Sequence, residues 1–452
     1  MKLEKIENWL LAAAVFCFPF NTGIIYTPVM KTDLILATDV FLGALYVLWA
    51  YRTNLFTRGR IVFETFAVPA VLTILWSIMS MFYAVALRAA GEGVYMLMKS
   101  FLLYFYLVNN VTTRSRVLLV ANSLVASLLF QAGVGVMQKV LGRPLGLAFL
   151  GEQLGKNYAW AAARMRGTLG FPNQYGAFLI LIMPLAMSMA IAAKKSLYKL
   201  ILIGTSVLSL LALLLSLSRS SWLGFFVAMG VFAVLFYIRG LLKPKYIVAV
   251  FAFFLLFALI AIINLDVIKV RFETGADGRW RKLMLGIAFP IIRDHPIFGV
   301  GLNNYQWHSY DQFKFWHPVH NTFLRLAAET GIPGLLIFLG MLYVLFRENL
   351  RLVRINDRLF SVISTGILSG YVAFLVAVQF GPQYQHYRIK LVFWALAGLT
   401  FAMKQIKKRE IFQQRKLRKV KLRQAAAKQT EAETVSDRFK DVPINLLKGS
   451  AT

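Results

Sequence analysis

Apolar runs long enough to cross a bilayer recur along almost the whole chain, and no other feature restricts its fold so tightly. They fall near 9–26, 33–51, 61–83, 92–111, 117–140, 169–192, 197–217, 220–239, 246–264, 321–346, 359–380 and 388–403. About 18 to 20 consecutive apolar residues carry a helix across roughly 30 Å of hydrocarbon, where each backbone N–H and C=O must find its partner within the helix. The pattern predicts an all-α polytopic membrane protein with about twelve transmembrane helices. Composition agrees: of 452 residues, 58% are hydrophobic and 15% charged, with a mean hydropathy of +0.63.

Charge then sets the orientation. The formal net charge is +30, but much of the excess sits in short loops and in the stretch "KQIKKREIFQQRKLRKVKLRQAAAK" after Met403. That distribution predicts contact with anionic membrane lipids and no nucleic-acid partner. With a cytoplasmic N-terminus, the cytoplasmic loops hold Arg52/Arg58/Arg60, Arg114/Arg116, Lys194/Lys195/Lys199, Arg239/Lys243/Lys245 and Arg347/Arg351/Arg354/Arg358. Every one of them is basic, as the positive-inside bias requires, and the C-terminus is cytoplasmic too. The expected division is a transmembrane domain over 1–403 and a basic cytoplasmic tail over 404–452. Two longer connections, about 141–168 and 265–320, fall on the outer side. The second is expected to form a small helical extracytoplasmic subdomain, because "RWRKLMLGIAFPIIRDHP" has a helical pattern ended by Pro296. The single Cys17 allows no intrachain disulfide.

Ionisable residues beside apolar runs are the candidates for chemistry. Arg219 divides what would otherwise be one run of nearly forty residues, so it marks a tight hairpin. It either snorkels to fix that turn or holds an anionic group. Arg164 and Arg166 precede an irregular Gly167…Pro172-Asn173 approach to a span, and Arg279 and Arg281 lie in the second outer connection. Guanidinium groups suit bidentate phosphate binding. His320 is placed in the first turn of the tenth span, as a structural or a catalytic imidazole. His317, three residues earlier, has no further ligand at evident spacing, so no metal site is expected. Arg325 and Glu329 stand four apart and can pair with each other. Ala327, Gly331 and Gly334 share a helix face, for close packing or for a lipid slot.

His320-Asn321, nine intervening residues and then Gly331-Ile332-Pro333-Gly334 resemble the His-Asn…Gly-x-x-Gly signature of the O-antigen ligase and O-antigen polymerase superfamily. "RMRGTLGFPNQYGAFLILIMPL", "LSLSRSSWLGFF" and "RDHPIFGVGLNNY" agree in family order, and the resemblance runs roughly from Arg164 to Phe346. It implies a bacterial inner-membrane glycosyltransferase with its active site facing the periplasm or exterior. The implied donor is a polyprenyl-pyrophosphate-linked glycan. The acceptor is a saccharide: the lipid A core in the ligase branch, another lipid-linked repeat unit in the polymerase branch. The family's catalytic histidine corresponds to His320, and its essential arginines to Arg166, Arg219 and either Arg279 or Arg281, with Arg164 a further pyrophosphate-binding candidate. Without an Asp-x-Asp triplet in the outer connections, a metal-independent reaction without cofactor is expected. The rival class is a transporter or lipid flippase, which calls for ionisable residues nearer the bilayer midplane.

Overall fold

The computed structural model describes residues 2–20, 23–27, 32–53, 61–152, 164–240 and 276–440. The helices are α1 (Lys2–Phe16), α2 (Ala37–Thr53), α3 (Ala67–Ser80), α4 (Leu87–Asn110), α5 (Arg114–Leu141), α6 (Pro172–Ala192), α7 (Ser196–Leu215), α8 (Arg219–Ile238), α9 (Ala276–Asp294), α10 (Tyr305–Phe313), α11 (Thr322–Arg354), α12 (Arg358–Ala377) and α13 (Tyr387–Lys440). Between α1 and α2, β1 (Gly23–Thr27) and β2 (Thr32–Leu36) pair antiparallel, with Tyr26 opposite Asp33 and a bulged register near Ile25. The chain divides into two compact units, Met1–Met403 and Lys404–Thr452. Within the second, α13 is studded with exposed Lys and Arg side chains such as Lys416 and Arg418.

The expected number of spans is corrected. Among the described residues seven helices, not about twelve, are long and apolar enough to cross a membrane: α5, α6, α7, α8, α11, α12 extended to Phe380, and α13. The first three apolar runs give helices of 15, 17 and 14 residues. At about 1.5 Å per residue these fall short of roughly 30 Å of hydrocarbon. The ribbon interrupts the chain between the first two, and the sequence is therefore not wholly helical. The fourth run forms α4, 24 residues long, which carries Arg88, Glu92 and Lys99. The run near 246–264 lies outside the described residues.

The core of the bundle is α6, α12 and the start of α13. From Gln174 to Met189, α6 is buried all round except for its partly exposed Met187. A helix apolar on every face belongs inside a bundle. α12 meets it through Gly366 and Gly370, where an added Cβ would collide with Leu185 and with the carbonyl oxygen of Leu181. Small residues four apart let two helix backbones approach this closely.

α11 stops and restarts. Gly331 has φ 73° and ψ 176°, which breaks the helix between Thr330 and Ile332. This is left-handed backbone that favours glycine, and any Cβ at Gly331 would strike the Ile297 carbonyl. The freed Ile332 N–H donates to the Pro296 carbonyl at 2.8 Å, and the Val300 N–H to Ala328 at 2.9 Å. The segment after α9 thus docks on the break. On its other side Phe298 stacks between Trp76 (5.0 Å) and Tyr83 (5.2 Å). Asn304 exchanges two hydrogen bonds with the Ala86 backbone, at 2.8 and 3.0 Å. Residues 276–320 form a helical segment with its own small core of Met284, Ile287, Ile291, Val300 and Tyr305 set against Ala328. Gly331 therefore serves close packing.

Candidate active site

Three limbs meet at the end of the bundle where α5 finishes and α11 starts. The first carries arginines. Arg164 donates from Nε to the Ser216 carbonyl (3.1 Å) and from a terminal nitrogen to the Leu217 carbonyl and Asn173 Oδ1 (both 3.1 Å). Ser218 Oγ donates to the same Asn173 oxygen at 3.1 Å. These bonds clamp the α7–α8 turn, where Leu217 sits at φ 52°, and deliver Arg219 as the partly exposed first residue of α8. Arg219 does mark a hairpin. Arg166, 8% exposed, lies two residues past Arg164 on the irregular segment that approaches α6. So the segment that carries Arg164 and Arg166 is bonded to the turn that leads into Arg219. Arg279 and Arg281 both lie on α9, two positions and hence about 200° apart around its axis; their side chains lie outside the described residues.

The second limb is the start of α11. His320 is exposed and sits just ahead of the helix rather than in its first turn. Asn321 is the N-cap, its Oδ1 accepting from the N–H groups of Phe323 (2.9 Å) and Leu324 (3.0 Å). One side chain thus satisfies two of the four N–H groups a helix start leaves open. Behind it Arg325 pairs with Glu329 at 2.8 Å, both buried, as their spacing led us to expect. His317 is exposed, with its ring 5.2 Å from Phe315.

The third limb was missed in the sequence: the α12–α13 connection, "VQFGPQYQH" from Val378 to His386. Asn321 Nδ2 donates to the carbonyl and Oε1 of Gln379, at 3.3 and 3.2 Å. Thr322 Oγ1 donates to the Gly381 carbonyl (3.1 Å) and Gln385 Oε1 (3.3 Å). At its far end, Gln174 Nε2 at the start of α6 lies 2.9 and 3.0 Å from the two ring nitrogens of His386. Arg388 donates to the Thr168, Leu169 and Pro19 carbonyls at 3.0, 3.2 and 3.4 Å. The connection therefore ties the histidine limb to the arginine limb. Burial, then the charges of Arg325, Arg388 and Lys390, push the His386 pKa down to about 3 and keep the ring neutral. A neutral ring has one acceptor nitrogen for the Gln174 amide. The only sequence signal was a short amide-rich run between two apolar ones.

Seven apolar spans among the described residues, with a cationic polar cluster at one end, define a polytopic membrane protein. Residues 204–339 match the family model Wzy_C, described as O-antigen ligase, and the chain carries a domain of that family. The matched segment runs from within α7 to the middle of α11. It contains Arg219, Arg279, Arg281 and His320; Arg164 and Arg166 precede it. No curated protein matches the chain.

Proposed function

We propose that this protein transfers a glycan from a polyprenyl diphosphate carrier to a sugar hydroxyl at the outer face of the inner membrane. The observation that carries the reading is the joining of the exposed His320 limb to the Arg164–Arg166–Arg219 limb through one hydrogen-bonded connection. In the proposed reaction the acceptor oxygen attacks the anomeric carbon and the bond from that carbon to the phosphate oxygen breaks. Polyprenyl diphosphate leaves with the electron pair, and the hydroxyl proton passes to His320. Charge develops on the leaving diphosphate, where arginines held in advance stabilise it most effectively. Arg166 and Arg219 fill that role, together with Arg279 or Arg281. Arg164, its donors directed to carbonyls, holds the turn. The reaction needs no divalent ion, and activity should survive chelation with EDTA.

The topology that goes with this reading places both termini in the cytoplasm and His320 outside. On a Cys17→Ala background, a cysteine at Asp311 should react with an impermeant thiol reagent applied from outside, and one at Lys194 should not. The reverse pattern would invert the protein and remove the lipid-linked donor's side from the site.

His320→Ala tests the chemistry. Loss of a general base costs about 10²- to 10⁴-fold in turnover, while donor affinity should change little. If the variant instead loses donor binding, His320 is a phosphate ligand. Lipopolysaccharide banding of a deletion strain separates the two branches. Core-only material with accumulated lipid-linked polymer indicates a ligase; core plus one repeat indicates a polymerase.

A further inference from the structure

Residues 165–170 are irregular backbone, yet every one of them is buried. Such a segment inside a membrane protein must find partners for N–H and C=O groups that no helix supplies. Here α5 supplies most of them. Gln138 and Gln131, both buried, stand seven apart and so share one face of α5. Gln138 Oε1 accepts from the Gly167 N–H at 3.1 Å, and its Nε2 donates to the Gly167 carbonyl at 3.0 Å. Gln131 Oε1 accepts from the Thr168 N–H at 3.1 Å, and its Nε2 donates to Thr168 Oγ1 at 2.7 Å. Arg388 takes the Thr168 and Leu169 carbonyls, and the Leu169 N–H donates to the Arg166 carbonyl at 3.1 Å. Every backbone N–H and C=O from Gly167 to Leu169 is thereby bonded. The approach to α5 is close: Gly167 has φ 56°, and a Cβ there would strike Gln131 Oε1 and the Tyr175 ring. Glu152 fixes which way the Gln138 amide faces. Its carboxylate accepts Gln138 Nε2 at 2.7 Å and the N–H groups of Leu145 and Leu147 at 2.8 and 2.7 Å. A carboxylate offers no donor, so the amide nitrogen turns to it and Oε1 is left for Gly167.

We infer that Gln131 and Gln138, with Glu152 behind Gln138, are positioning residues for Arg166: they lock the backbone that follows it, and so fix where its guanidinium meets an anion. Glutamines within an apolar span are unfavourable unless fully bonded, and α5 commits two of them to the pair of residues directly after Arg166. The inference rests on the role proposed for Arg166 in the transfer reaction. A donor fixed in advance stabilises developing charge without reorganising as the reaction proceeds, and a displacement of about 1 Å can cost about 10²-fold in rate. Loss of a glutamine leaves the arginine's charge in the protein and changes only its place. The effect therefore falls on turnover more than on donor affinity.

The test is a double-mutant cycle on the full chain in detergent. It reads single-turnover transfer from an undecaprenyl-diphosphate-linked glycan and, separately, affinity for undecaprenyl diphosphate. Gln138→Met keeps the bulk and removes the bonds to Gly167. It should cut the transfer rate about 10- to 100-fold and change the affinity little. In an Arg166→Ala background the same substitution should cost nothing further, because a positioning residue acts only through the group it positions. Glu152→Gln, outside the helices, frees the Gln138 amide to turn over. It should give a smaller loss in the same direction, again absent without Arg166, and carries the test if Gln138→Met does not fold. An equal loss with and without Arg166 would make the glutamine a matter of stability alone, overturning the inference while the transfer reading stands. Wild-type turnover of Gln138→Met would do the same. Wild-type turnover of Arg166→Ala would take that arginine out of the proposed reaction, and this inference with it.

Discussion

The two ends of the bundle handle buried charge differently, and α5 runs between them. At its N-terminal end, carboxylates answer arginines. Arg116 pairs with Glu7 at 2.9 Å, Arg52 with the same carboxylate at 3.1 Å, and Arg114 with Asp357 at 2.5 Å. Tyr106 adds a hydrogen bond to Glu7 at 2.9 Å. At its C-terminal end, Arg164 and Arg388 are held by backbone carbonyls and an asparagine amide. A carbonyl fixes a guanidinium in space without contributing the full negative charge of a carboxylate. One end is therefore tied by arginine–carboxylate pairs, while the other combines one such pair, Arg325–Glu329, with arginines bonded to backbone carbonyls.

The contrast breaks most readily at the paired end. Glu7→Gln would leave the buried Arg116 facing a neutral amide, and breaking a buried pair costs about 3–5 kcal/mol. The melting temperature in detergent should fall sharply, while turnover per folded molecule stays at the wild-type level. A loss of turnover without a loss of stability would mean the two ends are not separate in function.

Next in size is Arg219→Ala, which should reverse that result. Loss of one preorganised donor to developing charge costs about 10²- to 10³-fold in turnover, with little change in melting temperature. Arg219→Lys should recover only part, since an ammonium lacks the planar fork. A variant that melts early but turns over normally would move Arg219 into the class of Arg116.

A smaller effect is expected at the α11 cap. Asn321→Ala removes both the cap and the bonds to Gln379, for about 1–2 kcal/mol of stability. Turnover should fall with it, because His320 adjoins the loosened turn. Asn321→Asp, which keeps the cap oxygen, should preserve the helix start, and any remaining loss of turnover would isolate the bond to Gln379.

A further contrast lies in pH. His386 titrates near 3 in the folded protein and near 6.5 when unfolded. Between those values the unfolded chain binds the extra proton, so stability rises with pH from about 3 to 6.5 and is level above. His386→Gln should flatten the part of the slope that belongs to this residue in unfolding scans between about pH 4 and 8. An unchanged slope would show that the ring is not held neutral.

Local features were legible in the sequence. The run near 117–140 is α5, the Arg219 interruption is a turn, and the Arg325–Glu329 spacing is an ion pair, because each depends only on neighbours along the chain. The span count was not legible, since an apolar run of given composition does not say where its helix stops: the run at 61–83 yields a helix only over Ala67–Ser80. Nor was the connection that joins the limbs. Gln174 and His386 are 212 positions apart, and a hydrogen bond between a helix start and a distant loop leaves no periodic trace. The Gly331-Ile332-Pro333-Gly334 motif stands out in the sequence, but the contact that explains it, the Pro296 carbonyl arriving from another segment, is again long-range.

The break at Gly331 has a bearing on how such a chain can change length. Above it, Thr322–Thr330 is a pillar about 13 Å tall, anchored at its foot by the Ile332–Pro296 bond and at its top by Asn321. One residue inserted in the pillar would turn His320 about 100° around the helix axis and lift it about 1.5 Å, away from Gln379 and the arginine limb. Four inserted residues would bring it back to within about 40° of its azimuth but roughly 6 Å too high. Neither phase nor height can be kept at once, so the spacing from His320 to Gly331 behaves as a fixed ruler, while the loops on either side are free to grow.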